Sequence, residues 1–244
     1  MKSFKLLLRA CGMLLLASFG ATVCATEAPV RIMPLGDSLT SGTLPGAYRN
    51  RLYTLLTSAG YNVDFVGTHT DASNPTLPDI DHQGTGGVRI DEIQTNIAGW
   101  LNSVEDPDVV LLLAGTNDFS QNYSTASATT RLTNLIADIA ARRPFAKIIV
   151  SNLPLRTDSA TLEAQQVTFN SALPGIVSNQ VSLGHQVSLV DMHSAWGASD
   201  LAEGVHPNQG GYDKMAAVWL PGITNVISPQ GTANPPAIVR TGPP

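Results

Sequence analysis

Val109-Val110-Leu111-Leu112-Leu113-Ala114-Gly115-Thr116-Asn117-Asp118 is apolar for six residues and then turns polar within two. A half-buried strand would alternate. An unbroken apolar run is buried on both faces, as in a parallel sheet covered by helices. Similar runs occur at Val30–Leu35, Val63–Thr68, Lys147–Asn152 and Gln186–Asp191. The stretches between them have helical period. Tyr48, Leu52, Leu55 and Leu56 share a face, as do Ile90, Ile93, Ile97, Trp100 and Leu101. So do Leu132, Leu135, Ile136, Ile139 and Ala140, and Pro144 stops that helix from extending. Alternating strands and helices predict a three-layer α/β/α sandwich with a parallel sheet of about five strands and right-handed crossovers.

In such sheets, sites gather at the carboxyl ends of the strands. Three strand ends are rich in chemistry: Gly36-Asp37-Ser38-Leu39, Gly115-Thr116-Asn117-Asp118 and Asp191-Met192-His193. A fourth segment, Glu203-Gly204-Val205-His206-Pro207, precedes the last helical stretch. A serine hydroxyl is too weakly acidic to attack an ester without a base. His206 is the candidate base. Pro207 keeps its backbone extended and opens the final helix. Glu203, three residues earlier, can hold the imidazole tautomer. The oxyanion of an acyl transfer needs donors aimed at it. The Ser38 amide, the Gly87 amide in Gly84-Thr85-Gly86-Gly87 and the Asn117 side chain are the candidates. Asp37 and Asp118 read as supporting carboxylates that tie loop amides.

Taken singly, each residue has a plainer reading. Ser38 suits a helix cap, Asn117 a turn, and Gly87 a tight bend. Their joint occurrence in this order points to a Ser/His hydrolase. His193 reads as a loop histidine rather than a substrate contact. Asp81 and His82 could line the pocket or only pack, while His69 and His185 read as surface. Trp196 and Tyr123 could stack on a sugar but suit packing better. The chain contains no Gly-x-Ser-x-Gly elbow and no His-Glu-x-x-His zinc motif.

Gly36-Asp37-Ser38-Leu39, the loop at Gly87, Gly115-Thr116-Asn117-Asp118 and Glu203-x-x-His206 resemble the four blocks of SGNH (GDSL-type) esterases. Gly46-Ala47-Tyr48-Arg49-Asn50-Arg51-Leu52 and Val63-Asp64-Phe65-Val66-Gly67 are similar to the secreted acetylxylan-esterase branch. The resemblance implies a flavodoxin-like fold, Ser38 as nucleophile and His206 as base. It also implies an oxyanion hole of Ser38, Gly87 and Asn117, and no metal or organic cofactor. The family usually carries Asp where this chain has Glu203. Either the longer side chain reaches the imidazole differently, or a backbone carbonyl orients it instead.

The 244 residues carry a net charge of −5 and no Lys/Arg cluster beyond the first ten residues, which argues against a nucleic-acid binder. Lys2, Lys5 and Arg9 precede an apolar stretch from Ala10 to Val23, and Val23-Cys24-Ala25 follows. Residues 1–25 thus read as a secretory signal peptide, short for a membrane span, with an uncleaved anchor as the alternative. Cleavage there would remove both cysteines, Cys11 and Cys24, and with them any disulfide. Residues 26–227 form the expected domain, and the proline-rich 228–244 read as a flexible tail. The expectation is therefore a secreted esterase with no nucleic-acid partner and no stable membrane association after cleavage. Its expected substrate is a short-chain ester, above all O-acetyl groups on xylan or a related polysaccharide. The alternatives are a lysophospholipase or thioesterase, an acyltransferase to sugar, and a non-catalytic carbohydrate-binding protein on the same scaffold.

Overall fold

The uninterrupted apolar strands lie in the middle of the sheet. A computed structural model describes residues 28–71 and 77–229. The expected signal peptide, 1–25, and the expected tail beyond 229 lie outside the described residues. Strand β1 (Val30–Gly36) sits beside β5 (Val109–Leu113), all five of whose residues are buried. Next come β6 (Lys147–Ser151) and β7 (Val187–Val190), all parallel. Between β1 and β5 in sequence lie β2 (Val63–Phe65), β3 (His69–Thr70) and β4 (Asp81–Gly84). The order is β3-β4-β1-β5-β6-β7, with β2 also paired to β1.

The sheet has seven strands rather than five, because β3 and β4 carry no hydrophobic signal. β4 reads Asp81-His82-Gln83-Gly84, polar throughout, and pairs antiparallel with β3. The outer edge of β1 is shared. β2 pairs with its first half, Val30 to Ile32, and β4 with its last residues, Leu35 and Gly36. A polar strand therefore flanks the end of β1 that carries the Ser38 turn.

The helices are α1 (Ser38–Ser41), α2 (Ala47–Ser58), α3 (Ile90–Ser103), α4 (Thr116–Ser120), α5 (Ala128–Arg142), α6 (Ala160–Ser182) and α7 (Gln209–Thr224). α2 packs on α7, while α3, α5 and α6 pack in series. Right-handed crossovers put these two sets on opposite faces. The predicted inward faces are buried: Tyr48, Leu52 and Leu56 on α2, Ile90, Ile93, Ile97 and Leu101 on α3, and all five named residues of α5. Leu55 and Trp100 are only partly covered. Helix α6 has no clear apolar period, because Gln166 and Gln180 share its inner side with Phe169 and Leu173. Gln166 donates to Pro154 O at 3.1 Å, and Gln180 to Thr133 O at 3.3 Å. Burial with satisfied hydrogen bonds keeps these amides from being a penalty.

Candidate active site

Helix α1 starts immediately after β1, at Ser38. Its N-cap is Asp37, whose Oδ1 accepts the Leu39 amide at 2.9 Å. Asp37 is wholly buried. Burial raises its carboxyl from the ordinary 3.8 to about 6, against the pull of the Leu39 amide and Thr116. The turn needs glycine at position 36, where a Cβ would collide with the Leu113 carbonyl and Thr40 Oγ1. The Thr85 amide donates to Gly36 O at 3.0 Å, which sets the glycine loop against the Ser38 turn.

His206 meets Ser38 across 168 residues of sequence, with Nε2 2.9 Å from Ser38 Oγ. Its other ring nitrogen, Nδ1, bonds Glu203 Oε1. That same oxygen accepts the His206 amide at 2.8 Å, and Oε2 accepts the Val205 amide at 3.2 Å. Burial pushes the Glu203 carboxyl up, but the His206 amide, the imidazole and the Val205 amide pull it further down, so it stays ionised. The longer acid thus folds back onto its own loop and still reaches the ring, so of the two arrangements open to the sequence the side chain supplies the contact.

The loop is a short hairpin. Leu201 bridges Pro207, and the Ala202 amide donates to His206 O at 2.9 Å. It docks on the loop after β6, where the Thr157 amide donates to Gly204 O at 2.7 Å. Pro207 does not open the last helix. Asn208 caps it, accepting the Gly211 amide at 3.1 Å, and α7 starts at Gln209.

The glycine loop and α4 are tied together. Gly87 has φ +79°, a conformation that favours glycine. Asn117, in the first turn of α4, donates through Nδ2 to Val88 O at 2.9 Å. Gln121 Nε2 donates to Gly87 O at 2.8 Å. Asp118 is fully buried beneath them. Its Oδ2 accepts the Ile90 amide at 3.0 Å, and its Oδ1 accepts Arg131 Nε at 3.1 Å and Nη2 at 2.6 Å. Burial lifts its carboxyl above the usual range, against the pull of the Ile90 amide and Arg131. Asp37 and Asp118 therefore tie loop amides, as their sequence positions suggested.

The remaining polar residues fall elsewhere. His193 Nε2 bonds Glu163 Oε1 at 2.7 Å. Trp196 is buried, while Tyr123 is exposed with the Arg89 guanidinium 4.1 Å from its ring centre. His82 is buried in β4, and burial with the nearby Arg49 lowers its pKa to about 3. His69, which reads as surface in the sequence, is half-buried and bonds Thr85 Oγ1 at 3.0 Å. Three buried or nearly buried arginines were not singled out from sequence: Arg49, Arg131 and Arg156. For Arg49 a signal existed, a charge beside Tyr48 and Leu52 on the apolar side of a helix.

A carbonyl carbon brought to Ser38 Oγ would find a histidine already bonded to that oxygen. The arrangement suits acyl transfer. Comparison with known proteins agrees. The GDSL-like lipase/acylhydrolase family model matches residues 35–214. The chain is 32% identical over 224 residues to a multidomain esterase of Ruminococcus flavefaciens, covering 81% of this chain and 29% of that protein. It thus spans less than a third of that relative's length. Among solved structures, a Clostridium thermocellum family 3 carbohydrate esterase superposes with a TM-score of 0.71 at 34% identity, over 82% of this chain and 98% of the other. A family 3 carbohydrate esterase from Talaromyces cellulolyticus gives 0.70 at 31%, over 81% and 97%. The chain belongs to the GDSL-like lipase/acylhydrolase family and is a carboxylic ester hydrolase of the SGNH, or GDSL, type.

Proposed function

We propose that the protein is a secreted serine esterase that removes O-acetyl groups from xylan or a related polysaccharide. The observation that carries the mechanism is the 2.9 Å bond between Ser38 Oγ and His206 Nε2, with Glu203 on the far ring nitrogen. Ser38 Oγ attacks the ester carbonyl as His206 Nε2 takes its proton. Glu203 keeps the other proton on Nδ1 and offsets the charge of the imidazolium. The oxyanion is held by the Ser38 and Gly87 amides and Asn117, each donor contributing roughly a hundredfold or more. As the C–O bond breaks, His206 gives its proton to the departing sugar oxygen, which leaves as a hydroxyl. A water, deprotonated by His206, attacks the acetyl-serine, and acetate leaves with Ser38 restored. The chain's own residues supply every step.

The carbohydrate-esterase names of the relatives support the substrate class, and the N-terminal charge and apolar pattern supports secretion, free of the membrane after cleavage. The test is acetate release from acetylated xylan and from an aryl acetate, for wild type beside Ser38→Ala. Release from both that vanishes in the variant is the expected result. Turnover of the aryl ester alone would move the natural substrate elsewhere. No turnover of either by folded protein would favour the carbohydrate-binding alternative.

A further inference from the structure

The stretch Gly46-Ala47-Tyr48-Arg49 takes no part in the chemistry above. It launches α2 through two successive left-handed residues, Gly46 at φ 75° and Ala47 at φ 45°. Alanine seldom adopts that backbone, so the surroundings must hold it there. The two side chains that follow, Tyr48 and Arg49, are completely buried. Arg49 Nη1 donates to the Thr40 carbonyl and, at 3.4 Å, to the Ser41 carbonyl. Its Nη2 pairs with Asp71, which is near the surface.

Those carbonyls end α1, the helix that begins with Ser38. A single helical turn is not held by its own propensity, and its last carbonyls have no partner within the helix. The Gly42 amide closes on Ser38 O at 2.8 Å, and the Thr43 amide donates to the Tyr212 hydroxyl at 2.9 Å. Arg49 supplies the charged donors. Its fork can span two acceptors and an ion pair at once, which an ammonium cannot. A buried guanidinium is costly unless paired, and Asp71 pairs it. His82 lines the same cluster, with Nε2 3.9 Å from Asp71 Oδ1 and Nδ1 accepting the Gly84 amide at 3.1 Å.

We infer that Arg49 is a positioning residue for hydrolysis: anchored by Asp71, it fixes the end of α1 and so the angle at which Ser38 presents Oγ to His206. The inference rests on Ser38 being the nucleophile. A merely structural Arg49 would change how much protein folds, not how fast folded protein reacts. A positioning Arg49 lowers kcat and the rate of Ser38 modification together, and leaves KM alone.

The experiment uses the full chain with Arg49→Lys, Arg49→Met and Asp71→Asn. Each is assayed on an aryl acetate and by the rate of covalent labelling with a fluorophosphonate, with Ser38→Ala in parallel. Since small misplacements of reacting groups cost up to a hundredfold, Arg49→Lys should lose about tenfold in kcat, Arg49→Met about a hundredfold, and Asp71→Asn about fivefold. Labelling should fall by the same factors, with KM within about twofold of wild type. Folded Arg49→Lys with wild-type kcat and labelling overturns the inference, and so does a loss confined to KM. If Arg49→Met fails to fold, the other two variants decide by the same criteria. Surviving turnover in Ser38→Ala would refute the nucleophile itself, an outcome distinct from an unchanged Arg49→Lys.

Discussion

The two sides of this site are built in opposite ways. The proposed nucleophile and oxyanion donors stand on fully buried charge: Asp37 at the start of α1, Asp118 within α4, and Arg49 behind the Ser38 turn. The proposed base stands on an exposed hairpin. The His206 and Glu203 side chains are 30% and 55% exposed, and, the Ser38 bond apart, they bond residues two or three positions away. The first side is fixed by interactions that span the fold and are costly to disturb. The second is fixed locally and rests on the domain through the Thr157–Gly204 bond. The groups proposed to meet the reacting carbon and its oxygen are thus held by distant partners, whereas the histidine proposed to move protons among Ser38, the leaving oxygen and water is held by its own loop.

Breaking the buried side should have the largest effect. Asp118→Ala leaves Arg131 and the Ile90 amide without their partner and should cost about 3–5 kcal/mol in denaturant unfolding. A loss below about 1 kcal/mol would mean that the carboxylate does not tie α3 and α5 to α4. Asn117→Ala removes a proposed oxyanion donor and should lower kcat by roughly 10²–10³-fold, about 3–4 kcal/mol of barrier. Single-turnover acylation reads that step directly, and an unchanged acylation rate would take Asn117 out of the oxyanion hole.

Asp37 sharpens the contrast through pH. Its folded pKa of about 6 lies above the unfolded 3.8, so the folded state binds the proton more tightly. Stability therefore falls as pH rises from about 4 to 6, and ionised Asp37 costs up to about 3 kcal/mol above that window. Asp37→Asn can still accept the Leu39 amide. It should gain stability at pH 8, with the gain vanishing near pH 4 in melts across that range. A gain independent of pH would point to packing instead.

The exposed side should give the smallest effect. One oxygen of Glu203 accepts both the His206 amide and the ring, and a glutamine oxygen can do the same. Glu203→Gln should therefore keep the tautomer and lose the charge and the Val205 bond, about tenfold in kcat, with stability within about 0.5 kcal/mol of wild type. A loss near 10⁴-fold in steady-state assays would mean the amide had flipped the tautomer.

How legible each region was in the sequence follows the same divide. Val109–Leu113 declares its burial by being apolar throughout, and Ser38, Asn117 and His206 stand out because chemistry selects few residue types. β4 was illegible because Asp81-His82-Gln83-Gly84 is held by β1 pairing and buried hydrogen bonds, not by apolar pattern. Helix α6 hid for the related reason that amides share its inner face. Arg49 and Arg131 were missed because burial of a charge depends on a partner distant in sequence. Asp71 lies 22 residues from Arg49, and no local rule pairs them.

The separation of Ser38 from His206 has a consequence for synthesis. Ser38 emerges from the ribosome well before His206, so a nascent chain carries a serine without its proposed base until the closing hairpin has been made. The proposed pair forms only when the closing hairpin has brought His206 to Ser38, with α7 packed on α2. A truncation between them would silence the enzyme, and turnover itself reports that the stretch from Ser38 to α7 has been made and folded.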